Sequence, residues 1–326
     1  MSARRTALVC CLGLTAAVFP GRAAGKVFPA SAFSNKAAGT TGAVFLKLPA
    51  SARVMALGSA YTAGANGSEA IFWNPAGLAR MQAAGLDDFS FSYNHLLETS
   101  YASTLAYAHP FSEERGVFAT SLIFFSQSAI RGYSPLGDPD GEFKPYDFAL
   151  AGAYARRLGR LGLGSTLKVI RSKLSDASGT SFALDLGLQL ERVTDVGEGA
   201  MDIGLSLTNL GPPIRMGSVA DPLPFKLQLG ALWHVSPRLQ TSLDGHLPVD
   251  ESPYASMGAE FAQPLGQEML LSIRAGYNVR NERDVDGLTG FTAGFGFGLR
   301  PLRIDYAWVP LGDLGMTHRI SIGYTF

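Results

Sequence analysis

The chain has 326 residues, with 27 basic and 27 acidic side chains and only 17% charged residues overall. Because there is no basic excess, the composition gives no reason to expect a nucleic acid as a partner. Water-soluble proteins are usually about a quarter charged, so the low charge favours a protein whose outer surface faces lipid.

The N-terminal residues have the pattern of a secretory signal peptide. Arg4 and Arg5 precede an apolar stretch at 7–18, and small residues follow within 21–25. This pattern predicts a cleaved signal over residues 1–24 and export from the cytoplasm. The alternative is an N-terminal membrane anchor, which the shortness of the apolar stretch disfavours.

Residues 25–86 differ in pattern from the rest of the chain and form a candidate hatch. Residues 51–61 predict a short helix, which includes Arg53. Residues 73–77, Trp73-Asn74-Pro75-Ala76-Gly77, contain turn formers that favour a compact non-helical corner. A rigid segment of small residues ahead of a barrel is expected to fold into the barrel lumen.

From residue 87 onward the sequence divides into short segments in which apolar and polar residues alternate. Phe182, Leu184 and Leu186, for example, alternate with Ala183 and Asp185. This period gives a strand one apolar and one polar face, and many such strands are typical of a membrane barrel. The sequence therefore predicts an all-β fold, a transmembrane antiparallel β-barrel over 87–326. The fourteen predicted strands cover 87–95, 101–109, 116–126, 146–157, 160–173, 180–192, 200–209, 225–235, 238–247, 253–262, 268–280, 287–300, 302–309 and 317–326.

The connections between these strands largely alternate in length, as they do in outer-membrane barrels, although those at 110–115 and 193–199 are longer than a short turn would be. Strands with one apolar face could also build a soluble sandwich, but a sandwich has no reason to alternate its connections. The long connections are 127–145, 210–224, 281–286 and 310–316, and the short ones are 158–159, 236–237, 263–266 and 301.

The last strand ends on an aromatic residue. Ile320, Ile322, Tyr324 and Phe326 share one face, and such a strand can close a barrel against its first strand, because open edges are not tolerated in lipid. A terminal Phe in this setting resembles the signal read by the outer-membrane insertion machinery. We therefore expect Tyr324 and Phe326 to form an insertion signal. The expected location is the bacterial outer membrane, with its lipid and the insertion machinery as partners.

Charged residues on the polar strand faces are predicted to point into the lumen. The favoured interpretation is a structural network in which carboxylates and guanidiniums pair and hold the hatch, with Arg53 as the hatch partner. The alternative is a polar transport path or an electrostatic gate. The predicted network consists of Lys168, Asp185, Asp202, Asp244, Glu260, Arg274, Arg303, Asp305 and Arg319.

The sequence contains no recognisable catalytic motif. Asp244 and His246 lie two residues apart on one face, but no Gly-x-Ser-x-Gly or His-Glu-x-x-His sequence accompanies them. The glycines at 294–298 lie in mid-strand without a following helix, so they predict no nucleotide loop. Both cysteines, Cys10 and Cys11, lie in the predicted signal peptide. We expect no enzyme activity, no cofactor and no metal site.

The order of several short motifs resembles the PorV/PorQ family of outer-membrane barrels, within the wider group typified by the long-chain fatty-acid transporter. The motifs include Ala52-Arg53, Trp73-Asn74-Pro75-Ala76-Gly77-Leu78, Leu207-Thr208-Asn209-Leu210-Gly211-Pro212 and Ile304-Asp305-Tyr306-Ala307-Trp308. The resemblance covers nearly the whole chain after the signal. It implies a fourteen-stranded barrel with an N-terminal hatch.

The resemblance implies two possible functions. In the favoured one, the closed barrel is a scaffold whose outer loops bind secretion-channel or cargo proteins, as in type IX secretion. In the alternative, the barrel is a channel for hydrophobic small molecules, and its hatch opens to pass them. The channel requires an apolar pocket between hatch and wall, for which the evident candidates are Phe28, Phe33, Phe45 and Phe72. The sequence itself does not identify the cargo protein or the ligand.

Overall fold

A computed structural model of the protein describes residues 27–48, 50–96, 99–112, 115–134, 136–197, 199–282, 287 and 289–326. The predicted signal peptide at 1–24 lies outside the described residues. Within the described ranges, none of the helices has the length and apolar character needed to cross a bilayer.

Fourteen strands form a closed antiparallel barrel. The last strand pairs with the first, with Tyr324 opposite Phe89, and this pairing closes the sheet. The predicted all-β fold and its fourteen-stranded barrel are therefore confirmed. The barrel strands are β1 (Asp88–His95), β2 (Ser100–Pro110), β3 (Val117–Gln127), β6 (Tyr146–Leu158), β7 (Leu161–Leu174), β8 (Ala177–Val196), β9 (Gly199–Leu210), β12 (Lys226–His234), β13 (Leu239–Pro248), β14 (Tyr254–Leu265), β15 (Met269–Asn278), β16 (Phe291–Leu299), β17 (Leu302–Pro310) and β18 (Met316–Thr325).

Two of the predicted long connections contain hairpins that the sequence pattern did not predict. Strands β4 (Ile130–Tyr133) and β5 (Pro139–Phe143) pair with each other, and so do β10 (Ile214–Met216) and β11 (Val219–Asp221). Strands of three to five residues carry too few alternating positions to be distinguished from a loop. Both hairpins extend from the barrel end that has the longer connections, hereafter the long-loop end.

The wall presents apolar side chains outward and small or polar side chains inward. On β8, Phe182 is 59% exposed, whereas Asp185 is fully buried. On β15, Ile273 is 58% exposed and Arg274 is buried. A continuous apolar exterior is unfavourable in water and favourable against lipid chains.

The N-terminal region lies inside the barrel and divides into two parts. The strap, residues 27–48, contains the short 3-10 helices Asn35–Ala37 and Val44–Lys47. The plug, residues 50–86, contains helix α1 (Ala52–Ala56) and the 3-10 helices Ser68–Phe72 and Pro75–Ala83. Backbone hydrogen bonds join Phe33 to Val249 and Gly42 to Pro222, which places the strap at the long-loop end. Gln82, near the end of the plug, accepts a hydrogen bond from the Arg157 amide at the opposite end of the barrel.

Helix α1 is shorter than the helix predicted over 51–61. It ends at Ala56, and Gly58 follows with a φ of 63°, the left-handed conformation in which glycine commonly ends helices. The wall takes up the backbone groups that are released there. The Gly58 amide donates to Thr292 Oγ1, and Asn278 Nδ2 donates to the Gly58 carbonyl. The sequence pattern at 51–61 does not show that wall side chains would bind these backbone groups in place of a further helical turn.

The corner at 73–77 is more helical than predicted. Asn74 is extended, but 3-10 helices precede and follow it. The Asn74 side chain caps the second of these helices by accepting the Ala76 amide, and Pro75 occupies its first position, where no amide hydrogen is needed. The residues that predicted a turn, Asn74 and Pro75, thus form the N-terminus of a 3-10 helix.

Candidate functional site

An ion-pair chain joins the plug to one side of the wall. Both Nε and Nη2 of Arg53 on α1 donate to the Glu260 carboxylate on β14, at 3.1 and 3.0 Å. The same carboxylate accepts a hydrogen bond from Arg274 on β15. All three side chains are largely buried, so each charge depends on its partners for stabilisation.

The chain continues across the wall and returns to the plug. Arg274 Nη1 lies 2.7 Å from Asp305 on β17, and Asp305 also accepts from Arg303 Nε at 3.0 Å. Arg303 Nη2 then lies 3.7 Å from the Glu69 carboxylate in the plug. The six residues alternate in charge and form the clamp, which consists of Arg53, Glu260, Arg274, Asp305, Arg303 and Glu69.

A wall glycine makes room for the clamp. Strand β16 lies between Arg274 and Asp305, with Gly294 opposite Arg274 and Gly296 opposite Asp305. A Cβ on Gly296 would overlap the Asp305 carboxylate and crowd the Arg274 guanidinium. The inward glycine therefore lets two strands that are not adjacent share an ion pair.

A second ionic cluster holds the other end of the plug. Arg80 Nη2 lies 2.9 Å from Asp202 Oδ2 and also donates to the Ala63 carbonyl, while Nε donates to Gln189. His234 also contacts Asp202, at 3.0 Å. Sequence reasoning identified Asp202 but missed Arg80 and Glu69. Arg80 and Glu69 both lie in the hatch, next to the motifs that the sequence analysis recognised. A charged residue within a segment of small residues is the signal that could have identified each of them.

Lys168 and Asp185 form a pair within the wall. Lys168 Nζ lies 2.6 Å from the Asp185 carboxylate and 2.8 Å from Asn209 Oδ1. Asp185 in turn accepts the Asn209 amide, at a point where the register between β8 and β9 shifts. All of these bonds join wall residues to each other, so the pair stabilises the wall and is not one of the contacts that hold the plug.

Asp244 and His246 have different hydrogen-bond partners. The Asp244 carboxylate accepts the Tyr61 and Thr62 amides at 2.9 and 2.8 Å, so it holds the plug backbone. His246 Nε2 instead lies 2.8 Å from Ser256 Oγ. In the described part of the chain, no group of three or more His, Cys, Asp or Glu residues is arranged to hold a metal ion.

Arg319 also departs from the predicted pairing. It is 6% exposed, and its Nε and Nη1 atoms have no hydrogen-bond partner among the described residues. Its register partners on the neighbouring strands are Asn94 and Ala307, neither of which is charged. The expectation that the inward charges pair does not hold for this residue.

The hatch motif packs tightly against the wall. Asn74 Nδ2 donates to the Thr62 carbonyl at 2.8 Å and to the Leu188 carbonyl at 3.1 Å. The Trp73 carbonyl accepts from Ser206 Oγ at 2.6 Å. Pro75 lies against wall glycines, and Gly77 lies where a Cβ would overlap the Ala65 carbonyl. Arg53, Trp73, Asn74, Pro75 and Gly77 therefore all belong to the plug interface.

The two C-terminal aromatics lie outside this site. Tyr324 and Phe326 are 42% and 56% exposed, and their rings contact each other with centroids 5.5 Å apart. The Phe326 backbone pairs with Asp87 at the start of the barrel. Their role as an insertion signal stays a prediction.

A cavity of about 510 Å³ lies between the strap, the plug and the wall at the long-loop end. Its apolar lining includes Phe45 from the strap, Met55 and Phe72 from the plug, and Ile123 and Phe125 from the wall. This volume is within the range of small-molecule sites, about 300–1,000 Å³. The polar and charged lining residues include Asp147, Lys168, Asn209, Lys226, His246, Asp250, Glu251, Asn278, Arg280 and Arg319.

Of the four aromatics that the sequence offered for an apolar pocket, two line the cavity. These are Phe45 and Phe72. Phe28 instead packs against Phe33 and Phe225, with ring centroids 6.4 and 5.5 Å away, in a separate cluster at the strap. The pocket therefore draws more of its apolar surface from wall residues than the sequence suggested.

Ion pairs hold the strap over the cavity. Lys47 Nζ contacts Asp250 at 3.0 Å and also contacts Glu251, and Arg280 donates to both oxygens of Glu251 at 2.6 and 2.7 Å. Burial by itself would raise the pKa of Glu251, but the charges of Arg280 and Lys47 outweigh it and place that pKa below its ordinary value. Thr41 Oγ1 adds a hydrogen bond to Asp250.

Acidification is expected to loosen the strap. Because the folded-state pKa of Glu251 is depressed, its contribution to stability is complete above the unfolded-state pKa and is lost as the pH falls through the folded-state pKa. A spin label on Val44→Cys should therefore become more mobile at acid pH. In Glu251→Gln the label should already be mobile at neutral pH and show a smaller acid response. An equal response in both proteins would exclude Glu251 as the titrating group.

Comparison with known sequences identifies a family match. The model of the uncharacterised protein family UPF0164 matches residues 15–223. A UPF0164 protein of Treponema pallidum (strain Nichols) is 31% identical over 180 residues, which cover 52% of this chain and 43% of that protein. The chain thus spans less than half the length of this curated relative.

The barrel is similar to several solved structures. The Pseudomonas putida toluene transporter TodX aligns with a TM-score of 0.56 and 11% identity, covering 85% of this chain and 98% of that one. A Pseudomonas aeruginosa FadL homologue aligns with a TM-score of 0.54 and 11% identity, covering 86% of this chain and 98% of that one. The Ralstonia pickettii toluene transporter TbuX aligns with a TM-score of 0.51 and 14% identity, covering 83% of this chain and 96% of that one. At these identities the likeness shows a shared fold.

Proposed function

The chain belongs to the uncharacterised protein family UPF0164, and we propose that it is an outer-membrane channel for hydrophobic small molecules whose plug must move to let them pass. This proposal corresponds to the alternative drawn from the sequence. The observation that carries it is the cavity of about 510 Å³ between strap, plug and wall, whose lining combines apolar residues with polar and charged ones. A small apolar molecule gains free energy by leaving water for such a pocket.

The position of the cavity supports a path through the lumen. It lies at the long-loop end beneath the strap, while the plug occupies the barrel on its other side. The clamp and the Arg80 cluster are side-chain contacts, so they can break without unfolding the wall. The apolar exterior and the fold shared with transporter barrels support an outer-membrane location.

The secretion-scaffold interpretation receives no comparable support. The matched family is uncharacterised, and the solved structures described above are toluene transporters and a FadL homologue. They agree with the wider group suggested by the sequence and give no support to the PorV/PorQ assignment.

Filling the cavity should reduce binding of a neutral apolar dye such as 1-N-phenylnaphthylamine. Met55 on α1 lines the cavity, so we expect Met55→Trp to weaken saturable dye binding to the purified barrel at least tenfold. Met257 lies on the outer face at 52% exposure, and Met257→Trp is the matched control that should bind like the unmodified protein. Equal binding by both variants would place the dye outside the lumen and contradict the proposal.

A further inference from the structure

An apolar groove of about 510 Å³ lies on the outer face of the barrel and crosses β6, β7, β8 and β9. Its floor lies at Ser165, which is the register partner of Tyr154 on β6 and of Leu186 on β8. These two larger side chains are 46% and 40% exposed and border the small serine on either side. The Tyr154 hydroxyl donates to the Arg115 carbonyl at 3.0 Å, which holds the ring in place. The groove is therefore an indentation in a surface that faces lipid.

The plug supports the wall behind the groove. Gly164 on β7 and Gly187 on β8 are register partners, and both line the groove. On the lumen side, a Cβ on Gly164 would overlap the Pro75 backbone, and a Cβ on Gly187 would overlap the Asn74 side chain. Because the plug is packed against this part of the wall, the groove keeps its shape before any ligand binds. A preformed site loses less conformational freedom on binding than a flexible one.

Only one charged residue lines the groove in the described part of the chain. Arg156 lies on β6, on the outward face that it shares with Tyr154, two residues before the strand ends at Leu158. This position is at the barrel end opposite the long-loop end, hereafter the short-turn end. Arg156 has no ion-pair partner among the described residues. Arginine side chains near the edge of a membrane-spanning wall direct the guanidinium towards the lipid headgroups.

A second arginine without an acidic partner among the described residues lies in the turn that follows β6. Arg160 is exposed, and its Nη1 donates to the Arg192 carbonyl at 3.2 Å. Arg157, which lies on the inward face of β6, is instead paired with Glu191. The turn beside the groove thus adds a positive charge to that of Arg156, and such basic sites attract anionic lipid headgroups.

We propose that the groove is a binding site for one phospholipid with an anionic headgroup, whose phosphate pairs with Arg156 and whose acyl chain lies against Leu163, Leu186 and Leu188. A guanidinium binds a phosphate with two parallel hydrogen bonds. An acyl chain that fills the indentation gains contacts with the wall that an unfilled void would lack. The inference goes beyond the channel function and does not depend on what the lumen carries.

The position of the groove specifies the headgroup and the leaflet. A zwitterionic headgroup would bring its ammonium group close to Arg156 and Arg160, and like charges repel. A net negative headgroup avoids this repulsion. The short connections of outer-membrane barrels face the periplasm, so the bound phospholipid belongs to the periplasmic leaflet.

The test measures lipid binding to the purified barrel in detergent by native mass spectrometry. Phosphatidylglycerol is compared with phosphatidylethanolamine of the same acyl chains. The unmodified protein should retain one phosphatidylglycerol molecule and bind it at least tenfold more tightly than phosphatidylethanolamine. Arg156→Gln should lose this preference. Arg171→Gln is the matched control and should keep it, because Arg171 is exposed on the outer face of β7 towards the long-loop end.

A second pair of variants tests the shape of the groove separately from its charge. Ser165→Leu fills the floor of the groove and should weaken phosphatidylglycerol binding at least tenfold, although Arg156 is retained. Ser165→Ala leaves the space open and should bind like the unmodified protein. Both substitutions place an apolar side chain on a lipid-facing position, where such residues are favourable, so both barrels should fold.

Three results would overturn the inference. If phosphatidylglycerol binds equally to the unmodified protein, Arg156→Gln and Ser165→Leu, the lipid covers the wall without a specific site. If phosphatidylethanolamine binds the unmodified protein as tightly as phosphatidylglycerol, the anionic headgroup is wrong. If the unmodified protein retains no lipid and forms dimers that Ser165→Leu abolishes, the groove belongs to an interface between two copies of the chain.

Discussion

Replacing Glu260 with Ala is expected to have the largest effect of any single change in the clamp. The substitution leaves Arg53 and Arg274 buried without the carboxylate that both contact. Removing one partner of a buried ion pair typically costs about 3–5 kcal/mol, because the remaining charge stays uncompensated. The unfolding midpoint of the purified barrel in denaturant should fall accordingly, and the plug should separate from β14 and β15.

The release of the plug should also be visible in conductance. A barrel reconstituted in a planar bilayer should show more frequent and larger ion-conducting openings after Glu260→Ala. Glu142→Ala is the control, since Glu142 pairs with Arg131 on an exposed hairpin, with side-chain exposures of 58% and 74%. Exposed pairs contribute about 0–1 kcal/mol. Unchanged stability and conductance in Glu260→Ala would mean that the clamp does not hold the plug.

Gly276→Val is the second change with a large expected effect. Gly276 on β15 faces the plug, and a Cβ there would overlap the Gly58 amide and the Leu57 carbonyl carbon. These are backbone atoms, so they cannot move aside as a flexible side chain can. Overpacking of this kind costs about 1–3 kcal/mol or more. The plug should therefore be displaced, with a gain in conductance and in protease cleavage within 50–60.

A glycine on the outer face provides the matched control for this change. Gly152 on β6 has only Phe118 Cζ at 4.0 Å from its ideal Cβ position. Gly152→Val adds the same side chain without touching the plug, and it should leave conductance unchanged. If both variants behave alike, the effect comes from strand propensity instead of plug displacement.

The wall was predictable because each strand faces two different environments. Lipid selects apolar residues such as Phe182 and Ile273 on one face, while the crowded lumen selects small or polar residues on the other. This requirement repeats every second residue, so the alternation is strong in long strands. The short hairpins β4–β5 and β10–β11 lie outside the barrel sheet, so the alternation between a lipid-facing side and a lumen-facing side does not run through them.

The charged residues of the lumen were predictable as a set but not as pairs. Glu260 and Arg274 are register partners across a short turn, and the hairpin pattern would have been sufficient to pair them. Arg274 and Asp305 meet across a third strand, and only the absence of a side chain at Gly296 permits this contact. Pairing of that kind depends on three-dimensional packing, which a single sequence does not specify.

Arg319 was grouped with the paired charges because it lies inward on an alternating strand. The alternation predicts that the Arg319 side chain points into the lumen, but it does not predict which plug residues face that side chain. In the structure, the plug presents Met55 and small residues to this part of the wall, and no carboxylate from the described chain reaches the guanidinium. Its isolation is a property of how the plug folds against β17 and β18.

The most direct test of the channel account is to lock the plug to the wall. An ideal Cβ on Gly162 of β7 lies 3.5 Å from Ala79 Cβ in the plug, a separation suitable for a disulfide, for which about 3.5–4.5 Å is usual. The double variant Ala79→Cys and Gly162→Cys should therefore form a crosslink. Uptake of 1-N-phenylnaphthylamine would be measured in cells that carry the barrel in their outer membrane. The account predicts that uptake is lost in the oxidised variant and returns after reduction, whereas equal uptake in the locked and reduced forms would contradict a plug that must move.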